Sequence, residues 1–410
     1  MKLSYIIPTH NREGVLRRHL RDLSRQTLSG DKFEVVVIND GGEALEFPDY
    51  GYKLISLGQE QAGPAVARNT GVEASSGDVV LFVGDDALPH DHLLYRHWLK
   101  HLSNKPCAVQ GYTSWYPQLP PLDFENFLYE SGLQANWSSL QNQDGSWKSE
   151  ASGYCLTTNY SIHREEIDRL SKFDTQFPNA AWEDVSLGFR GQKHSLQTWF
   201  EPDAINYHAH RQTFDGFLKR QQIEGKSRLV LCSIHPELAG SLLDSQGLRD
   251  FKSENFQLAV TLAKRLHHNS DPALKQLRFQ RWSEAFRMAS LSGILEGINA
   301  RECKVWMSIP HLHSQELSHY MVSVASSLER GDTGYAAMAV EWALREADGN
   351  WAVWASKGEV ELALGRKREA LIAFEKSVTL GPGENWPAGR MSELQQMFDA
   401  HSLNGASKSE

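Results

Sequence analysis

GPAVARNTGVEASSGDVVLFVGDDALP, residues 63–89, opens on a Gly-Pro turn and carries Arg68 into a helix-like segment. It then runs through an apolar strand, Val79–Val83, into the acidic pair Asp85-Asp86. Carboxylates at the carboxyl end of a buried strand stand where open α/β sheets bind their ligands. Two adjacent carboxylates repel each other unless a cation or solvent compensates them. A hard divalent ion, Mn²⁺ or Mg²⁺, carrying a diphosphate would meet that need. The plain alternative is a strand followed by an acidic turn with no ligand.

Around this stretch, apolar strands alternate with helical patterns. A strand at 3–7 precedes a helix expected to bury Val15, Leu16, Leu20 and Leu23. Strands at 33–38 and 53–57, a helix at 64–75 and the strand at 79–83 follow. That order predicts right-handed βαβ crossovers, an α/β class and a mostly parallel sheet. A helix from about 89 to 102 and a strand near 108–111 come next, and residues 131–150 read as a loop or acceptor-side insertion.

Composition narrows the function classes. The chain has 410 residues, enough for two or three domains, and a net charge of −9, which gives no reason to expect nucleic-acid binding. No apolar run approaches the ~20 residues needed to cross a bilayer. The first strand begins almost at once, which leaves no room for a signal peptide, so a cytoplasmic chain, at most peripheral at an inner membrane, is expected. Cys107, Cys155, Cys232 and Cys303 are widely spaced and read as reduced, buried thiols.

Five segments in order resemble the motifs of family 2 glycosyltransferases: Ser4–Arg12, Val35–Gly42, Gly63–Gly71, Leu81–Asp86 and Trp182–Arg190. Tyr207-His208-Ala209-His210 is similar to that family's late histidine motif, and Thr157–Ser161 to its strand beside the donor sugar. The resemblance covers about the first 225 residues and implies the GT-A (nucleotide-diphospho-sugar transferase) fold over 1–230. It implies donor contacts from Pro8, Thr9, Asn11, Arg12, Asn39, Asp40, Arg68, Asp85 and Asn159. It also implies Asp86 and His208 as ligands of Mn²⁺ or Mg²⁺, with His210 the second choice and at most one of the two histidines facing the site. Asp184 would be the general base of an inverting transfer, and Glu183 would orient the acceptor or support the local fold. The donor would be a nucleotide-diphosphate sugar, UDP first, and the acceptor a carbohydrate, a lipid-linked glycan or a protein. Three positions depart from the motifs: Asn39 and Gly84 stand where the family carries aspartates, and Thr158 replaces a glycine.

Beyond 230 the sequence becomes helical. Residues 231–315 read as a helical linker or bundle, and 401–410 as a disordered tail. Over 316–400 a 34-residue spacing relates Tyr320 to Trp354, Leu328 to Leu362, Gly331 to Gly365, Ala336 to Ala370 and Val340 to Phe374. With Gly358 and Pro382 this resembles the tetratricopeptide pattern, closed by a capping helix near 386–400. Such a region suits a protein partner or self-association. The sequence therefore carries two function classes: a sugar transferase, or a catalytically decayed sugar-nucleotide-binding protein that serves as a scaffold through its helices.

Overall fold

The computed structural model describes residues 1–104, 106–177, 179, 181–244, 247–248, 251–299, 324, 328, 333–347, 351–381 and 388–395. Two compact units divide the chain: Met1–Leu231 with Phe251–Gly297, and Cys232–Asp250 with Ile298–Glu410.

The first unit is built on an eight-stranded sheet of order β3-β2-β1-β4-β7-β6-β8-β5. Its strands are β1 Leu3–Thr9, β2 Phe33–Asp40, β3 Lys53–Gln59, β4 Val79–Val83, β5 Ala87–Pro89, β6 Ala108–Trp115, β7 Asn159–His163 and β8 Thr198–His208. The first four pair in parallel, as the βαβ reading requires. β7 then runs antiparallel to both β4 and β6, β8 runs parallel to β6, and β5 closes the edge antiparallel to β8. The α/β class and the parallel first four strands are as expected, with the sheet mixed beyond β4.

Alternation along the strands explains why both faces are covered. Tyr5, Ile7, Val35, Val37, Leu81 and Val83 share one cluster with Leu16, Leu20 and Leu23 of α1 (Glu13–Leu23) and with Leu93 and Leu94 of α3 (Leu93–Ser103). Ile6, Val36, Ile38, Val80 and Phe82 face the other way, onto α2 (Pro64–Ala74) and Leu187 of α6 (Glu183–Lys193). Val15 does not join its helix neighbours in the core; it is exposed.

β8 and three shorter elements were not anticipated. β5 has three residues and exists because Ala87–Pro89 can pair with Asn206–His208. α4 (Asp123–Glu130) buries Phe124, Phe127 and Leu128, and the Glu125 carboxylate accepts the Leu122 backbone N–H at 2.8 Å. α5 (Arg164–Arg169) is a short helix after β7. α7 (Phe214–Ile234), α8 (Ser253–His267) and α9 (Lys275–Asn299) follow. Phe124 and Phe127 pack with Phe214, Phe217, Trp282 and Phe286, so residues 251–297 fold with the sheet and not as a separate linker. α7 and α9 cross closely: a Cβ at Gly225 would lie 2.1 Å from the Ser290 carbonyl oxygen, and one at Gly293 would lie 1.9 Å from that of Gln222.

The second unit is helical: α10 (Thr333–Ala347), α11 (Trp351–Ala363) and α12 (Lys367–Leu380). A Cβ at Gly358 would meet the Phe374 ring at 2.5 Å, and Ala370 and Phe374 are fully buried. Gly365, at φ +78°, turns the chain between α11 and α12. Tyr320, Gly331, Pro382, Cys303, most of 300–332 and the tail 401–410 lie outside the described residues, as does part of 386–400. No helix among the described residues is long and apolar enough to cross a membrane.

Trp282 is 1% exposed against Phe124 and Phe127. Trp282→Ala is expected to lower unfolding stability by about 3–5 kcal/mol, measured by denaturant titration. A change below about 1 kcal/mol would mean that residues 251–297 do not share a core with the sheet unit.

Candidate functional site

The carboxyl ends of β1, β2 and β4 open on one edge of the sheet. β7, antiparallel to β4, begins on that same edge, where Asn159 pairs with Val83. β8 ends there as well, because its terminal residues pair with Ala87–Pro89 just after the acidic pair.

The like charges of Asp85 and Asp86 are compensated from within the chain. Arg12 Nη1 donates to Asp85 Oδ1 at 3.2 Å and to Asp86 Oδ2 at 3.1 Å, and Thr9 Oγ1 donates to Asp85 Oδ2 at 2.8 Å. Burial holds the Asp85 carboxyl above its usual range, with Asp86 adding to the effect and Thr9 and Arg12 opposing it. At Asp86 burial also pushes upward, but His208, His210 and Arg12 outweigh it and keep the carboxyl below its usual range. A Cβ at Gly84 would lie 2.9 Å from Asp86 Oδ1, so the missing aspartate leaves room for this carboxylate.

Asp86, His208 and His210 can each offer one ligand atom, all within 4.8 Å of one another. His210 Nδ1 is 3.6 Å from Asp86 Oδ2. Both histidines hold Nδ1 buried without a hydrogen-bond partner. Burial lowers the His208 pKa to about 4, against the pull of Asp86, so its ring is neutral and its lone pair available. The expectation that at most one histidine faces the site is corrected: residues two apart on extended chain share a face. Two buried imidazole nitrogens without partners beside a carboxylate are a donor set that fits a divalent cation.

Other expected donor contacts are engaged elsewhere. Asp40 accepts Gln59 Nε2 at 2.9 Å and the Ala62 and Gly63 backbone N–H groups at 2.8 and 2.9 Å. It thereby fixes the turn into α2 and one wall of a cleft of about 520 Å³ lined by Gly41, Gly42, Gly58, Gln59 and Gln61. Asn39 Nδ2 donates to the Glu43 carbonyl at 2.8 Å. Pro8 is half-buried near the end of β1. Asn11, at φ 55°, donates to His10 Nε2 at 2.8 Å, and His10 Nδ1 contacts the Asp40 carbonyl.

Arg68 does not point at an open donor cleft. It is 8% exposed and gives Nη1 to Glu183 Oε1 at 2.7 Å, with its guanidinium 5.4 Å over the Phe173 ring. Asn159 is fully buried: Nδ2 donates to the Tyr112 and Ala204 carbonyls at 3.0 and 2.7 Å, and Oδ1 meets His97 Nε2 at 2.8 Å. It knits strands together and has no atom left for a sugar.

Asp184 is half-buried at the start of α6. Oδ1 accepts the Val185 N–H at 2.8 Å, and Oδ2 takes long contacts of 3.4 Å from Thr157 N and Oγ1. Thr157 lies two residues before β7, so Asp184 comes to the same edge as the acidic pair. Glu183 is 2% exposed; burial raises its pKa, Asp184 adds to this, and Arg68 opposes it. Its Oε1 accepts Arg68 Nη1 at 2.7 Å and its Oε2 is buried without a partner. Trp182 holds a left-handed φ of 72°, which for an aromatic residue costs about 1–3 kcal/mol. Its Nε1 donates to the Glu224 carbonyl at 3.0 Å and Arg228 lies 5.0 Å over its ring. Trp115, Tyr129, Gln134, Trp137 and His208 line a small pocket beside the histidines.

Comparison with known proteins gives a consistent picture of the amino-terminal region. Residues 4–138 match the model of glycosyl transferase family 2. "Glycosyltransferase AglE" of Haloferax volcanii is 26% identical over 236 residues, covering 55% of this chain and 73% of its own length. "Glycosyltransferase GlyA" of Streptococcus pneumoniae is 35% identical over 123 residues, 28% of this chain and 17% of its own length. Among solved structures, S. aureus TarS 1-349 in complex with UDP-GlcNAc gives a TM-score of 0.42 at 15% identity, covering 73% of this chain and 92% of that one.

His19, His97 and His208 are each buried with the pKa lowered to about 4 from 6.5, burial being the main cause. A depressed histidine contributes stability that is present above the unfolded value and lost as pH falls toward the folded one. Unfolding free energy is therefore expected to fall between pH 6.5 and about 4. Denaturant unfolding at a series of pH values checks this, and a flat profile over that window would contradict it.

Proposed function

We propose that this chain, whose residues 4–138 match the family 2 glycosyltransferase model, transfers a sugar from a nucleoside diphosphate to an acceptor hydroxyl with inversion at the anomeric carbon. The acceptor is a glycan, a lipid-linked glycan or a protein. One observation carries the reading: Asp85 and Asp86 after β4, His208 and His210 at the end of β8, and Asp184 beside Thr157 all occupy one edge of the sheet.

Each residue has a part that follows from its surroundings. The cleft beside Asp40 receives the nucleoside, with Asp40 holding the Gln59 wall and the Ala62–Gly63 turn behind it, and Asn39 bonded to the Glu43 carbonyl. Thr9 fixes the Asp85 carboxylate, which faces the ribose or the sugar hydroxyls. Arg12 is half-exposed and free to turn from the acidic pair toward a diphosphate. Asp86, His208 and His210 would hold Mn²⁺ or Mg²⁺, the imidazoles favouring Mn²⁺. Such an ion, when bound, supplies positive charge against the leaving diphosphate. Asp184 takes the acceptor proton, and Trp182, Glu183 and Arg68 hold it in place. A single displacement with one acceptor-side base inverts the anomeric configuration.

The second reading, a sugar-nucleotide-binding scaffold without catalysis, draws on Arg12, which already neutralises the acidic pair, and on Gly84. A thermal-shift panel of UDP, GDP, dTDP and CDP sugars with and without Mn²⁺ tests binding. A ligand at ~100 times its dissociation constant should add about 2.7 kcal/mol, and Asp86→Ala should remove the Mn²⁺-dependent part. Asp184→Asn should leave donor affinity nearly unchanged while transfer falls by roughly 10²–10⁴-fold, with the wild-type product anomer read by NMR. Binding without turnover in the wild type would favour the scaffold; a retained anomer would remove Asp184 as base.

A further inference from the structure

A second cluster of ligating side chains lies at the opposite end of the sheet from the acidic pair. His101 near the end of α3, Cys107 just before β6 and His163 at the end of β7 are buried and can each offer a ligand atom within 4.8 Å of the others. His163 pairs with Val79, at the start of β4, so nothing in the donor edge touches this cluster.

Proton bookkeeping along the side chains beside it is informative. Asn159 gives both amide protons to carbonyls, so its oxygen faces His97 Nε2, which must carry a proton. Burial keeps His97 neutral, so His97 Nδ1 is bare and accepts the Ser161 hydroxyl at 2.7 Å. That hydroxyl proton is then engaged, and His101 Nε2 must donate to Ser161 Oγ at 2.7 Å. On its other side His101 Nδ1 lies 3.1 Å from His163 Nδ1. His163 Nδ1 accepts the Cys107 backbone N–H at 3.0 Å, which occupies its one lone pair, and the Cys107 carbonyl lies 3.1 Å from the same nitrogen. The Cys107 sulfur is 3.5 Å from His101 Nδ1.

We propose that His101, Cys107 and His163 form a second, structural metal site that takes one borderline cation, zinc by its donor set. A cation among the three atoms would take one lone pair from each ring nitrogen and one from the thiolate. Zinc holds nitrogen at about 2.0–2.1 Å and sulfur at about 2.3 Å, which places tetrahedral N–N and N–S pairs roughly 3.3 and 3.6 Å apart. The observed separations are 3.1 and 3.5 Å. Binding replaces two existing contacts. The Cys107 N–H leaves His163 Nδ1, and the thiol proton, now given to the Asn104 carbonyl at 2.7 Å, is released to solvent. Burial pushes that thiol up to about 12, and a coordinated cation reverses the preference by deprotonating it outright. The Asn104 and Cys107 carbonyl oxygens lie beside the set for a remaining position. The ion would pin the end of α3 to the sheet.

Metal analysis of the untagged full chain, purified from zinc-supplemented medium, tests this. Bound zinc is expected in the wild type and in His208→Ala, which alters the other cluster, and is expected to be lost in Cys107→Ser and His163→Gln. Cobalt(II) exchanged into the wild type should show a thiolate-to-cobalt charge-transfer band, a readout that does not depend on how the variants fold. Wild-type protein without zinc, a cobalt spectrum without that band, or zinc that survives Cys107→Ser would each overturn the proposal.

Discussion

The buried ion pair between Arg68 and Glu183 joins the two halves of the sheet unit. Arg68 comes from the helix after the third strand, and Glu183 opens the helix that carries Asp184. Neither side chain has more than marginal exposure, and Arg68 Nε and Glu183 Oε2 are buried without hydrogen-bond partners. Removing one member of such a pair leaves an uncompensated charge, which costs about 3–5 kcal/mol. Asn69, the next residue, reinforces the tie by exchanging hydrogen bonds with the Phe173 backbone at 2.9 and 3.0 Å. The strained Trp182 backbone persists because these contacts hold both sides of it.

With that tie in place, the sheet edge gathers charge of both signs. Two carboxylates, one guanidinium and two half-buried imidazoles meet there, and burial lowers the His208 pKa to about 4. Arg12 is the adaptable member, being half-exposed while its partners are largely covered. The same group that quiets the acidic pair in the ligand-free chain can follow an incoming diphosphate, because an exposed guanidinium loses little by changing partners.

Much of this was legible in the sequence, and the rest was hidden for identifiable reasons. Apolar runs such as Val79–Val83 fixed the first four strands, since burial on both faces requires them. The acidic pair and the late histidines were found by resemblance, and the structure brings Asp86, His208 and His210 together. Arg68 and Asn159 were placed at the donor, but their partners lie 115 residues away in one case and on three separate elements in the other. Local pattern carries no record of such pairings. The helix at 123–130 did have a signal, Phe124, Phe127 and Leu128 at helical spacing with Glu125 reaching back to Leu122, in a stretch whose prolines and polar residues masked it. Nothing in the local sequence marks His101 or His163, because only the sheet topology brings them together.

The joint between β6 and β8 has a consequence for how this chain tolerates change. Ala108–Gly111 pair with Thr198–Glu201, and Tyr112–Trp115 resume against Ile205–His208, with the irregularity between Gly111 and Tyr112. Residues 202–204 are the slack that lets two registers coexist on one strand. In an uninterrupted strand a single inserted residue would swing every later side chain to the opposite face. Here a length change within 202–204 can be absorbed where pairing is already interrupted, and His208 keeps its orientation toward Asp86. The bulge acts as an expansion joint, and drift in the first half of β8, Thr198–Glu201, need not reach the ligand cluster at its end.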